Sequence, residues 1–156
     1  MSIPETIVSY LQHRAIDFDV VTHEPTATSM ETAQSAHIPG DRLAKAVVLE
    51  DGERYVVAVL PATHRIDTEA LSDLLDRDLF MAGEDDFASV FGDCRVGAVP
   101  ALGGAYGLQT VVDEALTRQP DVYLEGGDHE HLIHIDHAAF LRLIAGSGRG
   151  NFSRHV

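Results

Sequence analysis

Two β-rich runs separated by a turn constrain this chain more than any other feature. Ala46-Val47-Val48-Leu49 and Tyr55-Val56-Val57-Ala58-Val59-Leu60 flank Asp51-Gly52. β-Branched residues suit a packed, pleated surface, and Asp-Gly is a favoured hairpin turn, so the segment reads as an antiparallel hairpin. Lys45 stands at the entrance of its first strand.

The remaining elements follow from local signals. Ser2 is expected to cap a first helix, with Pro4 in its first turn and Ile7, Tyr10 and Leu11 on its buried face. Residues 18–22 read as a short strand. Thr28-Ser29-Met30-Glu31 has capping-box spacing, which starts a helix running to about His37, before Pro39-Gly40. Asp67 or Thr68 opens a helix through Leu75, and a shorter one covers residues 84–91. The stretch from Gly97 to Gly107 is glycine-rich and is expected to be irregular. Strands follow at 108–112, 122–125 and 132–135, and Asp136 caps a last helix through Ala145. Helices at both ends around many strands imply a single α/β (α+β-like) domain with a mixed sheet. It is expected to span residues 1–146, with 147–156 a small, polar, frayed tail.

The 156 residues suit one ordinary domain with one core. No apolar run reaches the roughly 18 residues of a membrane helix. The start, Met1-Ser2-Ile3-Pro4-Glu5, lacks signal-peptide character, and the single cysteine, Cys94, excludes an internal disulfide. A cytoplasmic location is the expectation. Eleven basic residues stand against 25 acidic ones, a net charge of −14. Such a chain repels polyanions, so any contact with nucleic acid must be local; DNA and membranes are not expected partners. Lys45 is the only lysine; the other ten basic residues are arginine. Either an arginine-biased chain kept one lysine by chance, or position 45 needs an ammonium in place of a guanidinium fork.

No nucleophile elbow, phosphate loop or dinucleotide fingerprint is present, and Cys94 reads as a small buried residue. His129, His131, His134 and His137 cluster. On one strand His129 and His131 share a face while His134 points away. They either bind a metal, with a third ligand from Asp128, Glu130, His23 or His64, or they line a polar pocket and the surface. No metal motif has the expected spacing, so neither a metal nor another cofactor is expected. The apolar loop Gly97-Ala98-Val99-Pro100-Ala101-Leu102-Gly103-Gly104 suits close approach of backbone to a ligand. With Gly126-Gly127 and Lys45 it makes a site for an anion or a developing oxyanion.

Taken in order, these pieces resemble the YbaK and prolyl-tRNA synthetase editing-domain family. The matches are His23-Glu24-Pro25, Lys45 before Ala46-Val47-Val48, Pro61 through Asp67, Gly97-x-x-Pro100-x-x-Gly103, and Tyr123-Leu124-Glu125-Gly126-Gly127. The resemblance implies a mixed, partly closed sheet flanked by helices. It implies an aminoacyl-tRNA deacylase acting in trans on mischarged tRNA, commonly tRNA for proline carrying alanine or cysteine. The implied partners are the tRNA acceptor end and an aminoacyl-tRNA synthetase. Lys45 matches the lysine that places the terminal adenosine, and Gly97 to Gly103 matches the loop that shapes the amino-acid pocket. Some members carry Ser-Gly-Gly with a downstream aspartate where this chain has Glu125-Gly126-Gly127-Asp128-His129. Others place a histidine there, which either His129 or His131 would match, so the choice of amino acid stays open.

An aminoacyl ester is already activated, so water attacks it without a protein nucleophile. On this reading Lys45 holds the terminal phosphate or the substrate carbonyl. Backbone N–H groups of Gly97, Ala98, Val99 and Gly103 meet the oxyanion or the amino-acid end. His129 or His131 holds the ribose or orients water, while the substrate's neighbouring hydroxyl relays the proton. Met30, Val99 and Leu102 would supply an apolar lining suited to a small amino acid. Two alternatives stand beside it: a metal-dependent hydrolase built on His129 and His131, and a non-catalytic module that binds tRNA or a synthetase.

Overall fold

The computed structural model describes residues 2–156. The hairpin forms as expected: β2 (Leu43–Glu50) pairs antiparallel with β3 (Tyr55–Pro61) from Ala44↔Pro61 to Glu50↔Tyr55. The turn is held by Asp51, whose Oδ1 accepts the N–H groups of Glu53 and Arg54 at 3.0 and 2.9 Å. Gly52 takes the φ of +93° that this turn requires. The Arg77 guanidinium closes on the same carboxylate at 2.9 Å and holds it well below the usual range.

Around the hairpin lie β1 (Asp19–Thr22), β5 (Phe80–Met81), β6 (Gln109–Asp113), β7 (Asp121–Glu125), β8 (His131–Asp136) and β9 (Gly148–Gly150). They form one sheet in the order β1-β8-β7-β2-β3-β6-β9, with β5 also on β2. The β2–β7, β3–β6 and β6–β9 pairs are parallel and the others antiparallel. A small second sheet joins β4 (His64–Ile66) to β10 (Ser153–His155). The helices are α1 (Glu5–His13), α2 (Ser29–Ser35), α3 (Thr68–Leu75), α4 (Glu84–Phe87), α5 (Glu114–Thr117) and α6 (His137–Leu143). The fold is therefore a single mixed α/β domain. No described helix is long and apolar enough to cross a membrane.

β3 explains why its sequence reads as a continuous apolar run. Val57 and Val59 enter a large cluster with α1 and α6, while Val56, Ala58 and Leu60 enter a second one with Leu71 and Phe152. Both faces of the strand are covered, so alternation disappears. A third, smaller cluster, Ala33, Leu43, Ala62 and Leu132, seats α2 against the sheet. Side-chain caps start the helices where an oxygen precedes them. Thr28 accepts from Glu31 N–H at 3.1 Å, and Asp67, Asp113 and Asp136 accept from Ala70, Ala115 and Ala139.

Several expectations are corrected. Pro4, with no side-chain cap, occupies the position before α1, so Ser2 does not cap it. The glycine-rich segment contains a 3-10 turn at Gly103–Tyr106, and α5 was not expected. The largest difference is the C-terminus. Residues 148–150 and 153–155 are paired strands rather than a frayed tail. Phe152 is 1% exposed, and Asp113 Oδ2 accepts from Phe152 N–H at 3.0 Å and from Ser153 Oγ at 2.8 Å. One aromatic anchor and one buried carboxylate draw a segment of low apolar content into the fold.

Candidate active site

β2 and β7 begin as a parallel pair, Leu43↔Tyr123 and Ala44↔Leu124, and then part. The next pair of that ladder would be Lys45 with Glu125. The two residues instead stand on the walls of a cavity of about 110 Å³. Thr26, Thr28, Ser29 and Thr32 close it from α2 and the segment before it; Gly97, Val99 and His129 close it from the loops. Lys45 also lines a wider, open groove of about 500 Å³ with Met30, Val47, Thr63, His64 and Ile66. The lysine thus stands where cavity and groove meet.

Lys45 is half-buried and has no carboxylate within 4 Å among the described residues. Burial lowers its pKa, and the nearby Arg65 charge lowers it further. Glu125 shifts the other way: burial raises its pKa, opposed by the Gly127 and Gly126 N–H groups and by His129. Its Oε2 accepts from Gly127 N–H at 3.1 Å.

The two turns that frame the cavity are tied together. Arg95 N–H donates to the Gly127 carbonyl at 2.8 Å, and His129 Nε2–H donates to the Val96 carbonyl at 2.7 Å. With Nε2 committed as a donor, neutral His129 keeps Nδ1 as an acceptor. His129 reaches this position through a left-handed backbone, φ +66°. It therefore lies in the turn before β8, not on a shared strand face with His131. Gly97 (φ +82°) packs beside its ring, where an added Cβ would sit 3.5 Å from Cε1.

Of the residues expected from sequence, Lys45, Gly97, Val99 and His129 line the cavity. Ala98 and Pro100 are buried behind the loop. Gly103 packs against Thr110 and Val57, so it serves the core. Gly126 lets the turn approach the His131 carbonyl, where a Cβ would be 2.7 Å away, and Gly127 takes φ +97° beside Pro4 and Cys94. Both shape the turn without lining the cavity. Met30 lines the outer groove only. His23 is buried; its Nδ1–H donates to the Glu24 carbonyl at 2.7 Å, and it lines neither space. His131 is held by Asp128 at 2.5 Å.

A metal is best served by Asp128, Glu130 and His131, whose ligand atoms lie within 4.8 Å of one another. Asp128 already accepts from the Glu130 and His131 N–H groups and from the His131 ring. His129 is not part of that group, so the pairing of His129 with His131 does not form. Cys94 is half-buried and pushed up to about 11 by burial, which leaves it a thiol. Sequence reasoning missed Glu125 and the hydroxyls of Thr26, Thr28, Ser29 and Thr32. For Glu125 a signal existed: it is a carboxylate ending the alternating strand Val122-Tyr123-Leu124, directly before two glycines.

A family model described as an aminoacyl-tRNA editing domain matches residues 23–143. Among solved structures, the chain is similar to the hypothetical protein APE2540, with a TM-score of 0.84 and 20% identity over 96% of this chain and 100% of that one. It is similar to a protein proposed to be a trans-editing enzyme for prolyl tRNA synthetase, with a TM-score of 0.82 and 22% identity over 96% and 95% of the two chains. The same fold occurs in a longer protein of Marinobacter aquaeolei VT8, proposed to act in signal transduction. There the TM-score is 0.79 and the identity 24%, over 97% of this chain and 31% of that one. No curated protein matches the chain in sequence.

Proposed function

Because the chain belongs to the aminoacyl-tRNA editing domain family, we propose that it is a trans-acting deacylase for tRNA mischarged with a small amino acid, with alanine or cysteine on tRNA for proline as first candidates. The observation that carries the reading is the cavity of about 110 Å³ with Lys45 at its mouth. An apolar protein cavity of about 150 Å³ holds a benzene molecule, so this one suits an alanyl or cysteinyl group and crowds anything much larger.

The terminal adenosine lies in the groove and the aminoacyl group enters the cavity. Lys45 holds the phosphate or the ester carbonyl where the two spaces meet. Gly97 and Val99 bring backbone N–H groups to the developing oxyanion, which needs donors fixed in advance of the reaction. His129, anchored through Nε2, presents Nδ1 to water or to the ribose. The ribose's vicinal hydroxyl relays the proton to the leaving oxygen, so no protein nucleophile is required. The net charge of −14 confines RNA contact to the acceptor end, and a synthetase is the partner that would supply further affinity.

The test is release of amino acid from tRNA for proline charged with alanine, cysteine or proline. Wild type is expected to clear at least one mischarged species, and Lys45→Ala to lose about a hundredfold or more in rate. No release from any of the three refutes the tRNA assignment; near-normal turnover by Lys45→Ala refutes the lysine's role.

A further inference from the structure

Glu125 has no place in the steps above, yet its setting is unusual. It ends β7, lines the cavity, and has no cationic side chain within 4 Å among the described residues. Glu125 is half-buried, and carboxylates withdrawn from water are normally paired with a cation or held by several hydrogen bonds. Lys45 stands on another wall of the same cavity, and the divergence of β2 from β7 keeps the two from closing on each other. The Gly127 N–H donates to Oε2 and fixes the carboxylate's orientation. The cavity thus carries one basic side chain and one oriented carboxylate on separate walls, around a space for one small moiety.

An aminoacyl ester has the matching pattern. Its carbonyl oxygen is the partly negative end, joined by the 5′-phosphate across the ribose, and its α-ammonium, one carbon beyond the carbonyl, is the positive end. We propose that Glu125 binds the substrate's α-ammonium, so that the site acts on aminoacyl esters with a free amino group and spares N-acylated ones such as formylaminoacyl and peptidyl esters. This rests on the deacylase reading and adds what the site selects for. The hydroxyls on the wall are neutral acceptors, and three of them are hydrogen-bonded locally: Thr28 Oγ1 accepts from Glu31 N–H, and Thr32 Oγ1 donates to the Thr28 carbonyl and meets Thr26 Oγ1. Glu125 is the one anionic side chain among the described residues of the wall.

Non-hydrolysable ligands test this apart from turnover. Binding of 3′-alanylamido-3′-deoxyadenosine is compared by calorimetry with its propionylamido counterpart, which lacks only the amine. Wild type is expected to prefer the alanylamide by about tenfold or more, the size of a hydrogen bond to a charged group. Glu125→Gln, which keeps an oxygen for the Gly127 N–H, is expected to bind both alike. Equal binding by wild type, a preference kept by Glu125→Gln, or no measurable binding of the alanylamide would each overturn the proposal. In parallel, tRNA for proline charged with alanine or with N-acetylalanine is offered as ester. Wild type should release alanine at least about tenfold faster than N-acetylalanine; comparable rates also overturn the proposal. Release from neither ester refutes alanine as the substrate, while the amide ligands still decide what Glu125 binds. A Glu125→Gln variant that loses kcat but still discriminates against the N-acetyl ester assigns the carboxylate to the chemical step instead, and likewise overturns the proposal.

Discussion

Along one edge, β2 is paired with β3 from Ala44 to Glu50; along the other, it meets β7 only at Leu43 and Ala44, and β5 only at Leu49 and Glu50. The first edge is continuous and buried on both faces. The second is open between its two short contacts, and irregular loops with left-handed residues fill the gap. A continuous ladder satisfies its own backbone groups and leaves no room for a ligand. An interrupted one leaves Lys45 and Glu125 facing a cavity in place of each other. Stability and chemistry therefore separate across β2: substitutions on the β3 side should cost folding, and substitutions on the β7 side should cost activity.

The largest effect is expected at Phe152, which packs with Val56, Ala58 and Leu60 on one face of β3. Phe152→Ala should destabilise the fold by about 3–5 kcal/mol, read by denaturant melts. Protein that remains folded should keep its turnover per molecule. A loss below about 1 kcal/mol would mean the C-terminal strands contribute little, and the contrast between the edges would weaken. Lys45→Ala should do the reverse: turnover falls about a hundredfold or more while the melting temperature stays near wild type, because a half-buried lysine without an ion pair stabilises little. A large drop in melting temperature would place Lys45 with the scaffold.

A pair of glycines sharpens the same contrast at smaller scale. Gly126→Ala forces a Cβ to 2.7 Å from the His131 carbonyl, a backbone atom that cannot swing aside. It should cost about 1–3 kcal/mol and, by shifting the turn that carries Glu125 and His129, reduce turnover as well. Gly52→Ala, in the hairpin turn on the scaffold side, meets nothing within 4 Å but sits at φ +93°. It should cost roughly 1–2 kcal/mol of stability with no change in turnover of the folded protein. Equal losses of turnover in both variants would break the division.

The scaffold edge was legible in the sequence and the functional edge only in part. The hairpin, the Thr28 cap and the Asp67 and Asp136 caps depend on residues close in the chain, so local pattern finds them. The C-terminal strands depend on Asp113, about forty residues upstream, and on one phenylalanine, so local polarity suggested fraying. His129 and His131 look like alternate residues of one strand, but the left-handed backbone at His129 ends that alternation before it begins. Lys45 was visible because it is the sole lysine. Glu125 is hidden because the chain has 25 acidic residues, and what distinguishes this one is a half-buried place on the cavity wall with no cationic side chain within 4 Å among the described residues.

That burial gives the smallest predicted effect and the most specific one. Desolvation raises the Glu125 carboxyl above the ordinary glutamate range near ~4.3. Asp128 pushes in the same direction; His129 and the Gly126 and Gly127 N–H groups push against it, and Lys45 faces it from β2. If the anion binds substrate, activity is present above this pKa and is lost as pH falls through it. The acid limb of kcat/KM, which reports the free protein's groups, should therefore begin at higher pH than an ordinary glutamate would give. In Glu125→Gln the limb should disappear while the lower overall kcat/KM remains, since any contribution from the substrate's own amine is common to both proteins. An acid limb that persists unchanged in Glu125→Gln would assign the titration to another group, with His129 the next residue to replace. It would also mean that the open edge of β2 holds its carboxylate for the turn alone.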